Sequence, residues 1–346
     1  MENSEGDIYL AVCSYHLGTK PETIAEYLTS ALKRSKNVDI VANTLYDACT
    51  TVDDDAAEKH DSEQLMENLV LAQPSNAQFH LLYGKILEKT LDCSKGELAA
   101  LIEFEKAKAL GLKSLELYHS LAISMWFMET EAVDDEDKES DKMVRPRLKQ
   151  LNDEFQINEN NIGESLDAVL DEGLKLYPQS PQLLQLRATQ EVVQAMEKKD
   201  KKLWENCLVD CRNLANLKTP MMAPNENYEA AQYDSPRLNL ESYALYALGD
   251  KTASLNKAKQ AFDGVMMLAQ KENSVGEKNF AYATLADYYN FIDDFDKAQD
   301  CLNSIKVGDH SSEEASFRET ITKESLEELL ASCKSKTHWL PTFPNP

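Results

Sequence analysis

The stretch that decides the fold is Tyr282-Ala283-Thr284-Leu285-Ala286-Asp287-Tyr288-Tyr289, followed after a polar gap by Phe295, Ala298, Leu302 and Ile305. Tyr282, Leu285 and Tyr289 recur at spacings of three and four, the period of one helix face. Ala298 and Leu302 repeat the device on a second helix. Two antiparallel helices approach closely only where a small residue sits at the crossing. Ala286 and Ala298 are therefore the expected crossing residues.

Two looser copies stand elsewhere. In one, Tyr83, Gly84 and Leu87 precede Ala100, Phe104 and Ala107; in the other, Leu245 precedes Ala258, Phe262 and Val265. Together the three resemble the tetratricopeptide repeat, which recurs about every 34 residues. Ala258 and Ala298 are forty apart, so the copies are degenerate. The resemblance implies an all-α fold, a superhelical array of antiparallel helix pairs with a groove lined by the first helix of each pair. An ordinary helix bundle is the alternative, because small and large residues at spacing four occur in any packed pair.

The whole chain agrees with the all-α reading. Its 346 residues include only 11 Gly and 11 Pro, few for a β-rich fold of this length. Helical periodicity recurs from Asp7 to Ser332. The expected organisation is N-terminal repeats over 1–128, a loop insertion over 129–160, C-terminal repeats over 161–332 and a Pro-rich tail over 333–346. Glu129 to Asp141 holds eight acids and one Lys, a run that cannot bury a face. Lys142, Arg145, Arg147 and Lys149 follow it. Thr219 to Ser235, with Pro220 and Pro224, shows no sustained period and reads as a long connection. The last helix is expected from about Glu313 to Ser332.

Charge narrows the function classes. Sixty acids against 36 Lys and Arg give a formal charge of −24. Such a surface repels phosphate backbones and anionic lipids, which argues against nucleic acid or membrane as primary ligand. It attracts basic protein partners. No apolar run is long enough to span a bilayer, and the acidic start lacks the character of a secretory signal. Seven scattered cysteines fit a reducing compartment, cytoplasmic or nuclear.

Motifs for chemistry are missing from the sequence. There is no Gly-rich phosphate loop, no G-x-S-x-G and no H-E-x-x-H. Cys207 and Cys211 share a helix face, but no second ligand pair stands at zinc spacing, so buried thiols are expected and no metal. His80 and His119 lie within apolar helices and read as packing histidines with hydrogen-bond partners. No cofactor is expected, and the chain reads as a non-enzymatic protein-binding scaffold or adaptor. A structural subunit of a larger helical-repeat assembly, in transport or on chromatin, is the alternative.

In the tetratricopeptide frame the matching groove positions are Leu81 and Lys85 in one copy, Ala283 and Asp287 in another. A single Lys opposite an Asp does not grip the two carboxylates of a chaperone tail. Asp287, Asn290 and Phe291 are expected to point away from the packed second helix. Phe291 would then be a solvent-facing apolar anchor and Asp287 a recruiting charge. Packing of Phe291 beneath a neighbouring helix is the alternative. Lys85, and Trp339 and Phe343 of the tail, complete the expected protein-binding residues.

A narrower resemblance rests on Ile40-Val41-Ala42-Asn43-Thr44-Leu45-Tyr46-Asp47-Ala48-Cys49, on Phe79-His80-Leu81-Leu82-Tyr83, on Leu166–Tyr177 before Pro178, and on the acidic insertion. These are similar to a fungal family of acidic helical-repeat proteins, enhancers of translation termination and negative regulators of a prolyl-hydroxylase-type oxygenase. That resemblance implies binding to a 2-oxoglutarate oxygenase and to a basic ribosomal protein, with effects on translation termination or nuclear import. The chain departs from the family in having no Lys/Arg-rich tract before its first helices.

Overall fold

The structure is a computed structural model and describes residues 4–50, 59–90, 93–130, 144–158, 160–217, 226–272, 274–306 and 323–339. Among these residues every regular element is helical. The chain divides into two compact units, Met1–Tyr177 and Pro178–Pro346.

The first unit holds α1 (Glu5–His16), α2 (Pro21–Ser35), α3 (Val38–Thr50), α4 (Lys59–Ala72), α5 (Ala77–Thr90), α6 (Cys93–Ala109), α7 (Leu115–Thr130), α8 (Val144–Gln150) and α9 (Ile162–Leu176). Helices adjacent in sequence pack on one another, α1 on α2, α4 on α5, α5 on α6 and α6 on α7. Connections this short force antiparallel neighbours. The start and stop signals are local. Pro21 opens α2, where a missing N–H costs nothing, and Gly18 and Gly111 take left-handed φ of 66° and 89° just past the ends of α1 and α6.

The α5–α6 crossing depends on one missing side chain. A Cβ on Gly84 would lie 2.3 Å from Phe104 Cε1, well inside contact distance. Phe104 is fully buried there, as are Leu81, Leu82 and Ala100. His80 closes the same pair from within. Its Nδ1 meets Glu103 Oε2 at 2.6 Å and its Nε2 meets the Pro74 carbonyl at 3.0 Å, as expected of a hydrogen-bonded packing histidine.

The second unit holds α10 (Pro181–Lys198), α11 (Lys201–Asn216), α12 (Glu226–Ala247), α13 (Lys251–Glu272), α14 (Val275–Phe291), α15 (Phe295–Leu302) and α16 (Lys323–Ser335). Each packs on the next in the chain. Ser180, Asp200, Ser274 and Asp294 cap four of these helices with side-chain oxygens that accept backbone N–H groups. Ala286 and Ala298 are both fully buried within one apolar cluster, where α14 crosses α15. Between α10 and α11, Arg187 donates from Nε and Nη2 to both oxygens of Asp210, at 2.6 and 2.8 Å. Asp210 is only 1% exposed, so this two-pronged pair satisfies a carboxylate that burial alone would penalise.

The structure corrects several expectations. The connection expected over 219–235 ends by Glu226, where α12 begins and runs through Pro236 without breaking. Pro236 lacks the N–H that would bond four residues back, and together with Pro220 and Pro224 it hid the helical period. Within the expected loop over 129–160, Val144–Gln150 is α-helical and Leu151–Phe155 makes a wider π-helical turn. Val144, Leu151 and Ile157 are buried there, so the basic residues Arg145, Arg147 and Lys149 ride on a packed element. The last helix continues past Ser332 to Ser335. Residues 131–143, 218–225 and 307–322, with Lys142, lie outside the described residues.

Candidate protein-binding site

Asp287, Asn290 and Phe291 stand three and four apart on α14 and share a face. That face is occupied. At the end of α16, Lys336 takes a left-handed φ of 53°. Its N–H bonds to the Cys333 carbonyl, and the Thr337 N–H reaches back to Ser332. This is the helix-ending turn that usually employs Gly. It sends Thr337, His338 and Trp339 along α14.

The polar groups of α14 take hold of that segment by its backbone. Asn290 Nδ2 donates to the Thr337 carbonyl at 3.3 Å, and Asn290 Oδ1 accepts the Trp339 N–H at 3.3 Å. One amide thus pairs with a carbonyl and with the N–H two residues on. Asp287 Oδ1 accepts the Trp339 indole N–H at 2.7 Å. His338 lies over the Phe295 ring at 5.4 Å and meets Asp293 at 3.1 Å. Asp287 and Asn290 are consequently buried, at 3% and 2% exposure.

Phe291 does not face solvent as a free anchor. It is half-buried, with ring centroids 4.8 Å from Tyr243, 5.7 Å from Tyr246 and 6.0 Å from Trp204. Aromatic side chains of α11 and α12 reach its face of α14. Burial pushes the Tyr243 hydroxyl far above its usual range, and the nearby Asp287 adds to the effect.

A cavity of about 650 Å³ opens beside this contact. Ala195, Met196, Trp204, Ala247 and Phe291 line it, with Trp339 and His338 of the extended segment as one wall. Lys199 and Lys201, from the turn between α10 and α11, complete the lining. Sequence reasoning missed this part of the site. Its signal was legible: Lys198-Lys199-Asp200-Lys201-Lys202 puts four lysines around one aspartate in a chain otherwise rich in acids.

The structure brings together Asp287, Asn290, Phe291 and Trp339. Phe343 lies outside the described residues. Lys85 belongs to the first unit, where its ammonium is held 3.3 Å from Asp39 and 3.2 Å from Glu88 and lies over the Phe104 ring. His119 shares that neighbourhood. Burial, reinforced by the Lys85 charge, lowers its imidazole to about 4.

The two clustered cysteines are structural. Cys207 and Cys211 are fully buried and turn their thiols toward the Leu240 and Arg237 carbonyls of α12. The hydrogen bond between them, and then burial, hold the Cys207 thiol far above its usual range, which makes it a poor nucleophile. Among the described residues no group of three or more His, Cys, Asp or Glu is placed to hold a metal ion. No described helix is long and apolar enough to cross a membrane.

No family model matches the chain, and no curated protein does. Among solved structures it is similar to the crystal structure of the tetratricopeptide (TPR) domain of P58(IPK). The identity is 12%, over 96% of this chain and 98% of that one, with a TM-score of 0.21. The fold assignment rests on the helix pairing described above and not on that likeness.

Proposed function

We propose that the chain is a non-enzymatic scaffold that binds other proteins, and that the α14 face of its second unit is where an extended polypeptide is held. The observation that carries this reading is the Asn290 amide, paired at once with the Thr337 carbonyl and the Trp339 N–H. Main-chain pairing of this kind gives affinity for any extended segment, while side-chain partners such as Asp287 select its sequence. The adjoining cavity, walled by aromatic rings and left open by the chain's own segment, supplies the concave apolar surface that interfaces use for anchors.

Nothing in this geometry selects an oxygenase or a ribosomal protein. The roles implied by the fungal resemblance, in translation termination and nuclear import, are not part of the proposal. The proposal therefore stops at polypeptide binding.

Binding in trans tests it. In full-length chain carrying Trp339→Ala the tail loses its indole contact with Asp287 and keeps only the backbone pairing, so a fluorescein-labelled synthetic peptide spanning Lys334 to Phe343, which offers both, should displace it and bind saturably in an anisotropy titration. Adding Asn290→Ala should weaken that binding roughly tenfold, the equivalent of about 1.4 kcal/mol. A peptide that fails to bind the single variant, or binds the double variant equally, would remove the basis of the reading.

A further inference from the structure

The chain is strongly acidic as a whole, yet the mouth of the cavity beside Trp339 is not. Lys199 and Lys201 line it, and Lys198 and Lys202 flank them in the same turn. Lys199 holds a left-handed φ of 53° at the end of α10, and Asp200 is engaged in capping α11 through the Lys202 N–H at 2.9 Å. The one carboxylate of the turn is thus turned to its own helix. Lys201 shares Glu205 at 3.3 Å across an exposed pair, and His338 faces Asp293. No described carboxylate lies within ion-pair distance of Lys199.

Behind these cations the floor is apolar. Ala195 is fully buried, Met196 is half-buried, and the Trp204 and Phe291 rings lie tilted against one another with centroids 6.0 Å apart. A volume of about 650 Å³ exceeds what one side chain occupies, so it has room for a bulky apolar residue and part of its flanking backbone. Methionine beside aromatic rings adapts to differently shaped apolar guests.

We infer that this cavity receives a segment of a partner protein in which a bulky apolar side chain stands next to carboxylates. The apolar residue enters between Met196, Trp204 and Phe291, and the carboxylates meet Lys199 and Lys201 at the mouth. The inference rests on the reading of this region as a polypeptide-binding face and names the partner's chemistry. It reverses the choice that net charge alone suggests: a basic segment suits the surface at large, whereas at this mouth it would meet lysines. Like charges placed opposite one another reject a wrong partner more effectively than distant net charge attracts a right one.

Selection from a library of random short peptides on immobilised full-length chain tests the inference. Enriched peptides should carry Leu, Met, Phe or Trp with Asp or Glu adjacent. The most enriched one, labelled and titrated, should lose roughly tenfold in affinity when Lys199→Glu and Lys201→Glu are combined. Both positions are exposed, so the helical spectrum should not change. A second variant, Ala195→Leu, narrows the floor without touching charge and should also weaken binding.

Enrichment of basic or uncharged peptides would overturn the inference, and so would equal binding by the charge-reversed variant. Failure to enrich any peptide, as would follow if the chain's own residues after Trp339 fill the cavity, would overturn it too. A dimer of the chain that the charge reversal dissolves would assign the cavity to a second copy and equally overturn it. None of these outcomes bears on the trans titration with the Lys334–Phe343 peptide, which decides separately whether the α14 face holds polypeptide at all.

Discussion

Helices α5 and α14 open the two best repeat copies, one in each unit, and they solve the same packing problem with opposite polar faces. In register, Gly84 matches Ala286, Lys85 matches Asp287 and Glu88 matches Asn290. On α5 the two polar residues pair with each other, Lys85 Nζ to Glu88 at 3.2 Å, and Asp39 of α3 closes the set. On α14 the same two positions hold the backbone and indole of Thr337–Trp339. A helix face that satisfies its own charges is finished structure. The α14 face spends its hydrogen bonds on the chain's own Thr337–Trp339 segment, the contact from which polypeptide binding is proposed.

The packing half of this comparison should show the largest effect. Gly84→Ala places a methyl group where Phe104 Cε1 stands 2.3 Å away and should cost about 3 kcal/mol, read by urea denaturation. Ala286→Gly at the matching position removes no clash and should cost only about 1 kcal/mol, chiefly through helix propensity. Equal losses would mean that the two crossings are not built alike.

Acid should separate the two faces next. The unfolded His119 imidazole titrates near 6.5, whereas burial and Lys85 hold the folded one at about 4. Between those values the unfolded chain carries the extra proton, so stability falls as pH drops from 6.5 to 4 and this contribution levels off below. Discounted for partial exposure, the loss is about 2 kcal/mol. Burial raises Glu88 despite Lys85 and works in the opposite sense just above its ordinary range. The contribution of His119 is therefore read as the difference between the parent and His119→Gln, whose stability should lack that slope. Parallel curves would place His119 in an environment unlike the one described.

Smaller still is the indole contact. Trp339→Phe keeps a ring on α14 but removes the donor to Asp287, and should cost about 1 kcal/mol. Thermal melting of the two proteins side by side checks it. No change would leave the backbone pairing by Asn290 as the whole of the attachment.

The sequence made part of this legible, and the physical reason is locality. Ala286 and Ala298 announced a helix crossing because their spacing is set by the helix itself, and Gly84 with Phe104 did so more weakly. His80 was readable as a bonded packing residue because an apolar helix leaves an imidazole few other uses. That Asp287, Asn290 and Phe291 share one face of α14 was readable too, because the helical period requires it. What occupies that face was not legible. The docking of Thr337–Trp339 depends on a left-handed turn at Lys336, a residue with no special preference for that conformation, and on partners about fifty positions away. The burial of Phe291 likewise comes from Trp204 and Tyr243, which no local period connects to it. Pro236 misled in the other direction, because a helix can carry a proline when its neighbours hold it in place.

Hydrogen exchange at the Trp339 amide measures directly whether Asn290 holds the backbone of the Thr337–Trp339 segment. In the parent protein this amide should exchange more slowly than in a free peptide. Asn290→Ala should restore fast exchange, and Lys85→Gln, the change on the self-satisfied face, should leave it slow. If the Trp339 amide exchanges at the free-peptide rate in the parent, or stays equally protected after Asn290→Ala, then α14 does not hold polypeptide in the way described.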